Sequence, residues 1–359
     1  MGHPADLPAI GPPEVPVRQA VPRSTRLPPS ARRGHSRLDT MRTVTEGMID
    51  ERTTDASHGR GDRRGLLVCL LAGLLAALLG GHRAIPNVHG FGSLVDSATP
   101  LLGLGVPPLA LAAALRRSRR ALAAVLLPAV VWAALYGGAW LPPAAGAGPA
   151  AIRVASQNLR SGNPDPAATV APLAGSGADL IALQEVDEED PVDAALRRRY
   201  PHQATVSTVA LWSRWPIRDS AGVDTGLGWT RALRAVVAAP GGDLVVYVVH
   251  LGSARAGHTA TRDETLTALA ATVRDDHAPR LVVLGDLNTA ATDRVFVPLT
   301  RLLHDAQADA GQGFGFTWPA QLPVTRPDHV LYRGLTPTAA GVLRTPDSDH
   351  RAVTAGFRW

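Results

Sequence analysis

The sequence predicts an α/β domain preceded by a group of membrane-spanning helices. Between residues 152 and 359, short runs rich in β-branched residues alternate with helical patterns, which is the rhythm of an α/β fold. Between residues 63 and 143, three long apolar segments follow one another. The single cysteine, Cys69, lies in the first segment, so an intrachain disulfide and a Cys-based zinc site are both excluded.

Residues 1–62 are rich in Pro, Arg, Ser and Thr and show no sustained apolar period. A chain of this composition cannot bury enough apolar surface to offset the entropy lost on folding. We therefore predict a disordered N-terminal tail over this range.

Residues 63–143 form the predicted membrane region, with spans at about 65–81, 94–115 and 121–143. A bilayer crossing takes about 20 apolar residues, and the third segment is long enough to make one. The first segment is shorter, and the second contains Asp96 and several prolines, so whether the second segment spans stays open at this stage. Buried helices of a soluble protein are the alternative interpretation, which the scarcity of polar residues over this length disfavours.

The arginines near the apolar segments predict how the chain is oriented. Arg60, Arg63 and Arg64 precede the first segment, and the loop at residues 116–120 reads "RRSRR". Positive charge is retained on the cytoplasmic side of a membrane. The N-terminal tail and this loop are therefore predicted to be cytoplasmic, and three crossings would place the C-terminal domain outside the cell.

Residues 144–151 are rich in Pro, Ala and Gly and are predicted to be a linker, and residues 152–359 form the predicted α/β domain. Two helices are predicted, at "PAATVAPLAGSGA" and "RDETLTALAATVRDD", and a short one near residues 292–303. The predicted strands are "IRVASQNL", "DLIALQEV", "STVALWSR", "RALRAVVAA", "DLVVYVVHL", "RLVVLGDLN", "RPDHVLYRG" and "HRAVTAGF".

Polar side chains with catalytic potential recur at the ends of these strands. In α/β proteins, ligands and chemistry collect at strand ends, where loops converge. Each position alone has a structural explanation: a histidine can sit in a core, "GDLN" can be a turn, and "EVDEED" can be a solvated acidic run. The recurrence as a set favours a shared site. The residues are Asn158, Glu185, His250, Asp286, Asn288, Asp328, Asp349 and His350.

The motifs around these residues resemble the endonuclease/exonuclease/phosphatase superfamily. No single motif is specific, but together they occur in the family's order across residues 151–359. Two neighbours of functional positions depart from the family pattern, since Gln157 stands where an aromatic residue is usual and Pro327 where an aliphatic one is. The motifs are "SQNL" (156–159), "LQEV" (183–186), "LWSRWPI" (211–217), "VVHL" (248–251), "GDLN" (285–288), "PDHVL" (327–331) and "SDHRAV" (348–353).

The resemblance implies a four-layer α/β (α+β) sandwich, in which two packed mixed β-sheets are flanked by helices, here preceded by the three-helix transmembrane region. It implies metal-dependent hydrolysis of phosphate esters. The resemblance does not cover residues 1–150. The arrangement of three spans in those residues, followed by an external catalytic domain, resembles a membrane-anchored actinomycete subgroup that includes a protein linked to teicoplanin resistance.

The resemblance also implies a metal site made of oxygen ligands. Glu185 is the leading ligand, and Asn158 and Asp349 complete the shell directly or through water. A hard divalent cation prefers such ligands, so Mg²⁺ is the expected cofactor, with Mn²⁺ or Ca²⁺ as alternatives.

Catalytic roles follow from the resemblance in the same way. His350 is the candidate base, and Asp328 orients its ring. Asp286 is an alternative group for activating water. Asn288 and His250 are expected to hold the non-bridging oxygens of the phosphate as charge develops.

Charge bears on the substrate. Residues 1–150 hold 16 Arg and 9 acids, whereas residues 151–359 hold 20 Arg and 22 acids, a net charge of −2. A nonspecific nucleic-acid binder usually presents a basic surface, which this domain lacks. A membrane-borne substrate, such as a lipid-linked phosphate or pyrophosphate, is therefore our first hypothesis. An extracytoplasmic nuclease and a non-catalytic binding module remain the alternatives.

A segment after His250 is the candidate substrate-binding loop. Residues 253–264, "SARAGHTATRDE", contain Arg255, His258 and Arg262, which could bind a phosphate or head group. A solvated start of the following helix is the competing interpretation. The sequence leaves both open, as it does the oligomeric state.

Overall fold

The computed structural model describes residues 51–141, 148–187, 192–255 and 257–359 and, for residues 51–64 and 193, only the backbone. Helices and 3₁₀ turns make up most of residues 63–141, the described part of the predicted membrane region. The α-helices there are α1 (Glu51–Gly81), α2 (Phe91–Leu102), α3 (Val106–Leu115) and α4 (Arg119–Tyr136). Three stretches are long and apolar enough to cross a membrane: Gly65–Ala84, Val88–Leu115 and Arg119–Trp140. The second stretch, which the sequence left open, therefore also meets the length and composition of a span.

The ends of these helices follow ordinary capping rules. The 3₁₀ turn Gly103–Gly105 joins α2 to α3, and α3 carries prolines in its first turn, where no backbone N–H is needed. The Ser118 hydroxyl accepts a hydrogen bond from the Ala121 amide and caps α4. The first helix begins at Glu51, ahead of the predicted span. Residues 1–50 of the predicted tail and residues 144–147 of the predicted linker lie outside the described residues.

The catalytic domain contains two β-sheets. Their order is β11-β12-β1-β2-β4-β3 in one sheet and β5-β6-β7-β8-β10-β9 in the other. The strands are β1 (Ile152–Asn158), β2 (Leu180–Gln184), β3 (His202–Val206), β4 (Val209–Ser213), β5 (Ile217–Gly222), β6 (Ala232–Ala239), β7 (Gly242–His250), β8 (Leu281–Asp286), β9 (His304–Asp305), β10 (Asp328–Arg333), β11 (Thr336–Leu343) and β12 (Ala352–Arg358).

The two sheets pack face to face over an apolar core, in which Val154, Leu233, Val246, Leu284 and Phe357 are buried. Helices cover the outer face of each sheet and make the third and fourth layers. The helices of the domain are α5 (Pro166–Gly175), α6 (Val192–Leu196), α7 (Ala260–Asp275), α8 (Val297–Thr300) and α9 (Ala306–Ala310). The predicted four-layer sandwich of two mixed sheets is confirmed.

Strand direction brings the functional ends together. Within their sheets β1 and β2 are parallel, and so are β7 and β8. Their carboxyl ends therefore lie at one edge, where β10 and β12 begin because each runs antiparallel to a neighbour. Strands buried on both faces, such as β7, read as continuous apolar runs, which explains why they were recognisable in the sequence.

Ala56–Trp359 form one compact unit, in which the apolar N-terminal helices contact the catalytic domain through the ion pair of Asp96 and Arg294. The Asp96 carboxylate, in α2, is fully buried and accepts hydrogen bonds from Arg294 Nε at 2.6 Å and Nη2 at 2.9 Å. The Arg294 guanidinium also donates to the backbone oxygens of His82 and Gly92. Asp96, which made the second span doubtful, is thus the residue that attaches α2 to the catalytic domain.

An aromatic cluster forms a second contact between the same two regions. The Phe314 ring meets the rings of Trp132, Tyr136 and Trp140 edge-on, at centroid distances of 6.2, 5.9 and 5.7 Å. Trp132 also donates its indole N–H to the Pro100 carbonyl at 2.8 Å. The loop around Phe314 is therefore packed against α4 rather than free in solvent.

Candidate active site

Register places the predicted residues side by side at one edge of the sheets. Asn158 pairs with Gln184 across β1 and β2, which puts Glu185 next to it. Asp286, the last residue of β8, pairs with both His250 and Asp328. Strand pairing alone therefore collects most of the site.

A tight approach between β7 and β8 precedes Asp286. Gly285 has φ +145°, and a Cβ added there would lie 2.0 Å from the Val249 carbonyl oxygen. Only glycine allows the two strands to pair this closely beside the carboxylate.

The amide of Asn158 bridges two carboxylates. Its Nδ2 donates to Glu185 Oε1 at 3.0 Å and to Asp286 Oδ2 at 3.1 Å, while its Oδ1 accepts from the Arg160 amide at 2.9 Å. The amide oxygen is therefore turned away from the carboxylates. A role for Asn158 at a metal would run through water or require this amide to rotate.

Glu185 is held by its backbone and by a neighbouring loop. It lies in the left-handed region, at φ 57°, and its Oε2 accepts from the Ser161 amide at 2.6 Å. Its side chain is 27% exposed, whereas that of Asp286 is 2% exposed. The left-handed conformation is uncommon for a residue with a side chain, and such strain concentrates at functional sites.

His350 and Asp328 form a hydrogen-bonded pair. His350 Nδ1 lies 2.8 Å from Asp328 Oδ2, which also accepts from the Thr317 hydroxyl at 2.6 Å. His350 Nε2 then faces Asp286 Oδ2 at 3.9 Å. The predicted orienting role of Asp328 has the geometry it needs.

The charges around His350 fix its protonation. Burial lowers the pKa of His350, but the carboxylates of Asp328 and Asp286 outweigh burial and raise the pKa to about 10. A raised pKa favours the protonated ring, whose Nε2–H can donate to a phosphate oxygen. The base role predicted from the sequence requires the neutral ring and stays a prediction.

His250 contrasts with His350. Its Nε2 lies 3.6 Å from Glu185 Oε1 and 3.9 Å from Asp286 Oδ2. Burial lowers the pKa of His250 below its usual value and Arg231 adds to this, while Asp286 and Glu185 oppose it. His250 is therefore a neutral ring, which fits the donor role predicted for it.

Asn288 lies at the turn after β8, again in the left-handed region at φ 49°. Its backbone amide donates to Asp286 Oδ1 at 2.8 Å, and its Nδ2 donates to the Leu251 carbonyl at 3.1 Å. Asn288 thus ties Asp286 to the end of β7.

Asp349 lies beside the site, and its predicted role as a metal ligand stays a prediction. Among the described residues, no hydrogen bond or ion pair joins its carboxylate to Glu185 or Asn158, and its backbone oxygen accepts from the Ala320 amide. The carboxylate also acts on the site through its charge, since it helps to raise the pKa of His350. A described cluster with metal-binding spacing is formed by Asp286, Asp328 and His350, whose ligand atoms lie within 4.8 Å of one another.

A divalent cation fits the donor set at this edge. Asp328 and His350 already bond each other, which leaves Glu185 and Asp286 as carboxylates whose charges face one another across a neutral amide and a neutral histidine. Two neighbouring carboxylates that offer hard oxygen donors are the ligands that a cation such as Mg²⁺ prefers.

The three predicted substrate-binding residues have different positions. Arg255 is exposed and borders a cavity beside the site, whereas His258 is exposed and is not among the residues that line it. Arg262 is buried in the first turn of α7, where Nη1 lies 3.0 Å from Asp293 Oδ2 and 3.2 Å from the Asn288 carbonyl. Arg262 therefore supports the Asn288 turn rather than lying in a solvated loop.

The comparison with protein families agrees with this site. A model described as the Endonuclease/Exonuclease/phosphatase family matches residues 155–350, which is more than half of the chain. The chain belongs to the endonuclease/exonuclease/phosphatase family. Enzymes of this family hydrolyse phosphate esters and generally depend on divalent metals.

Solved structures show the same fold. The chain is similar to an endonuclease/exonuclease/phosphatase family protein from Bacteroides thetaiotaomicron, with 15% identity, a TM-score of 0.51, and coverage of 57% of this chain and 97% of that one. It is also similar to an endonuclease/exonuclease/phosphatase from Bacteroides vulgatus, with 16% identity, a TM-score of 0.50, and coverage of 58% and 98%. At these identities the likeness shows the fold alone. No curated protein matched the chain.

The roles of two residues at this site escaped the sequence analysis. Arg231 precedes β6, stacks on Trp229 at 4.8 Å, and reaches His250 Nδ1 at 3.4 Å and the Leu251 carbonyl at 3.1 Å. Its place as the first residue of a predicted strand, at the same edge, was the signal that could have found it.

Gln157, which departs from the family pattern, has a positioning role. Its Nε2 donates to the Ser348 hydroxyl at 3.1 Å and to the His350 carbonyl at 3.2 Å, and its Oε1 accepts from the Thr345 hydroxyl at 2.8 Å. Gln157 therefore fastens the turn that carries His350 to β1. An aromatic residue at this position could not make these bonds.

Proposed function

We propose that the protein is a divalent-metal-dependent phosphoesterase, anchored in the cell membrane with its catalytic domain outside. The observation that carries the proposal is the meeting of the His350–Asp328 pair with the carboxylates of Asp286 and Glu185 at one strand edge. This arrangement offers a cationic donor for phosphate oxygens beside carboxylates for a cation and for water.

Glu185 and Asp286 would hold the cation, with Asn158 bonded to both and Asp349 contributing charge from outside. We propose Mg²⁺, with Mn²⁺ or Ca²⁺ as alternatives. When bound, the cation polarises the phosphoryl oxygens and neutralises charge on the departing group.

The protein's own groups divide the remaining work. Asp286 Oδ2 accepts hydrogen bonds from Asn158 and faces both histidines, so it is placed to take a proton from water. His350, held by Asp328, donates from Nε2 to a phosphate oxygen. Neutral His250 and Asn288 supply further donors as negative charge builds.

The membrane helices and the arginine distribution support the location. Three spans with the loop at 116–120 inside would place the catalytic domain outside, at the bilayer surface. Together with the acidic balance of residues 151–359, this favours a lipid-linked phosphate or pyrophosphate as substrate. The resemblance to a subgroup linked to teicoplanin resistance extends the proposal to a cell-wall intermediate.

Hydrolysis by the full-length protein in detergent tests this function. Bis(p-nitrophenyl) phosphate should be hydrolysed with Mg²⁺ and not with EDTA. Glu185→Ala, Asp286→Ala and His350→Ala should each reduce the rate by about 10³-fold or more, because each removes a group at the reacting centre.

Asp347→Asn provides the matched control. Asp347 is an exposed residue of the same turn as His350, at φ 58°, a conformation that Asn also tolerates. This variant should keep the wild-type rate. Near-wild-type rates for all three alanine variants would show that the proposal is wrong, and nicking of supercoiled plasmid in a parallel assay would favour a nuclease.

A further inference from the structure

A cavity of about 640 Å³ lies between α2 and the catalytic site. His350 and Asn288 border it on the catalytic side, and Phe91 and Leu94 border it on the membrane side. Its volume is within the range of about 300–1,000 Å³ that is usual for small-molecule sites. The cavity therefore joins the reacting centre to a helix that is apolar enough to span a membrane.

The membrane-side wall is one face of α2. Phe91, Leu94, Ala98 and Leu101 follow one another at the three- and four-residue spacing of a helix face, and all four border the cavity. Phe91 is 55% exposed and Leu94 is 58% exposed, although the catalytic domain lies beside them. This face is apolar, open and without a protein partner among the described residues.

The opposite wall belongs to the catalytic domain and is mixed, with polar residues near the reacting centre and an apolar part in the loop before β10. Trp318 and Val324 border the cavity from the loop before β10. Trp318 is 41% exposed, and Leu322, in the same loop, is 74% exposed. Exposed apolar residues on both walls make this the kind of patch that marks a ligand or membrane contact.

Unpartnered polar atoms lie at the cavity. Arg262 and Ser93 both border it and are at least 97% buried. Arg262 Nη2 and Ser93 Oγ have no hydrogen-bond partner among the described residues. Buried donors are normally satisfied, so the open Nη2 of Arg262 and the open Ser93 hydroxyl indicate a ligand with acceptor oxygens. The rest of the Arg262 guanidinium is ion-paired, at 3.0 Å, with Asp293, which borders the same cavity.

The two walls are fixed to each other. The Asp96 carboxylate, on the opposite face of α2 from Leu94, is held by Arg294 of the catalytic domain. Arg83, which follows α1, also donates to the Thr292 carbonyl at 2.9 Å. The cavity is therefore a built part of the fold.

We infer that this cavity binds the apolar chain of a membrane lipid whose phosphorylated head group occupies the site at Asp286 and His350. The inference rests on the proposed phosphoesterase function and names its substrate class. A nucleotide or sugar phosphate would leave the α2 face against water, whereas a lipid phosphate covers that face and supplies oxygens to Arg262.

Binding of phosphates with increasing chain length tests this inference. Inorganic phosphate, butyl phosphate and octyl phosphate are titrated calorimetrically against full-length protein in lipid nanodiscs, with empty nanodiscs as the blank. Octyl phosphate should bind about tenfold more tightly than butyl phosphate, a part of what full burial of four methylenes would give. Equal dissociation constants for the three ligands would overturn the inference.

Variants that fill the cavity test whether the gain in affinity with chain length arises there. Leu94→Trp, and as a second variant Ala98→Phe, should abolish the tenfold gain and leave binding of inorganic phosphate unchanged within twofold. Leu126→Trp is the matched control, because Leu126 is a leucine of α4 that is 63% exposed and does not border the cavity. Retention of the gain in both filling variants would also overturn the inference.

Hydrolysis of bis(p-nitrophenyl) phosphate by the same samples separates the two proposals. Hydrolysis without any dependence of binding on chain length would contradict the inference and leave the proposed function in place. Chain-length-dependent binding that Leu94→Trp abolishes, without hydrolysis, would support the lipid site and contradict the enzyme assignment.

Discussion

A buried carboxylate has different partners at the junction between the apolar N-terminal helices and the catalytic domain than at the catalytic edge. At the junction, Asp96 is 0% exposed and bonds directly to the Arg294 guanidinium and to His82. At the catalytic edge, Asp286 is 2% exposed but has only neutral amide donors within hydrogen-bond distance, while His350 lies 3.9 Å away. The Asp96 carboxylate is paired with a guanidinium and serves to hold two parts of the fold together. The Asp286 carboxylate has no charged group within hydrogen-bond distance among the described residues and is available to bind a cation or a water.

The largest expected effect comes from neutralising the carboxylate of Asp286. Asp286→Asn keeps the shape of the side chain and should lower kcat by about 10³-fold, because the proton acceptor and a cation ligand are lost together. The melting temperature should change little, since the lost repulsion from Glu185 offsets the lost attraction to the His350 ring. A lower melting temperature with an unchanged kcat would show that Asp286, like Asp96, has a structural role and not a catalytic one.

The pair of Asp96 and Arg294 should respond in the opposite way, with a loss of stability and little change in kcat. Arg294→Met leaves Asp96 buried without its guanidinium and should lower the free energy of unfolding by about 3–5 kcal/mol. The kcat of the folded fraction should stay within a fewfold of wild type, since Arg294 touches no catalytic group. Urea titration in detergent, with activity measured on the same samples, checks both outcomes.

A double variant sharpens that result. Asp96→Leu combined with Arg294→Met removes both charges, so its loss of stability should be smaller than the sum of the two single losses. Additive losses would mean that the two side chains do not act as a pair.

The smallest expected effect concerns Arg255, which is exposed, in contrast to Arg294 at the junction. Arg255→Ala should raise the KM for a lipid phosphate by about threefold, because an exposed charge contact contributes less than about 1 kcal/mol. His258→Ala should leave KM unchanged, because His258 does not border the cavity although its neighbours Gly257 and Thr259 do. Equal effects of the two variants would mean that neither side chain meets the substrate.

Much of the fold was predictable because buried strands and amphipathic helices carry strong patterns. β7 and β8 are apolar throughout, and their polar ends marked the site. β3, β5 and β11 were not predicted as strands, since β5 is almost fully exposed and β11 contains Pro and Gly. Edge strands of this kind are weakly patterned because few of their side chains reach the core.

The site was predictable in its members more than in their roles. Asn158, Glu185, Asp286, Asp328 and His350 do meet at one edge. The protonation of His350 could not be read from the sequence, because it depends on the distances to two carboxylates. The contacts of Arg231 and Gln157 depend on tertiary positions for which the sequence holds no motif.

Asp349 and Asp96 show that position in the sequence does not predict contacts in the fold. Asp349 neighbours His350 in sequence, yet its carboxylate makes no described bond to Glu185 or Asn158. Asp96 lies 198 positions from Arg294, and only the fold brings the two together. Adjacency in sequence does not make two side chains face one site, and distance does not keep them apart.

The ring contacts of Phe314 bear on how the enzyme should be prepared. A fragment beginning after α4 would strip Trp132, Tyr136 and Trp140 from that ring and leave it facing water together with Trp318. Such a fragment should self-associate at concentrations where the intact protein in detergent does not. Its sheets and catalytic edge would be complete, so it would suit assays with small chromogenic esters and mislead any survey of lipid substrates.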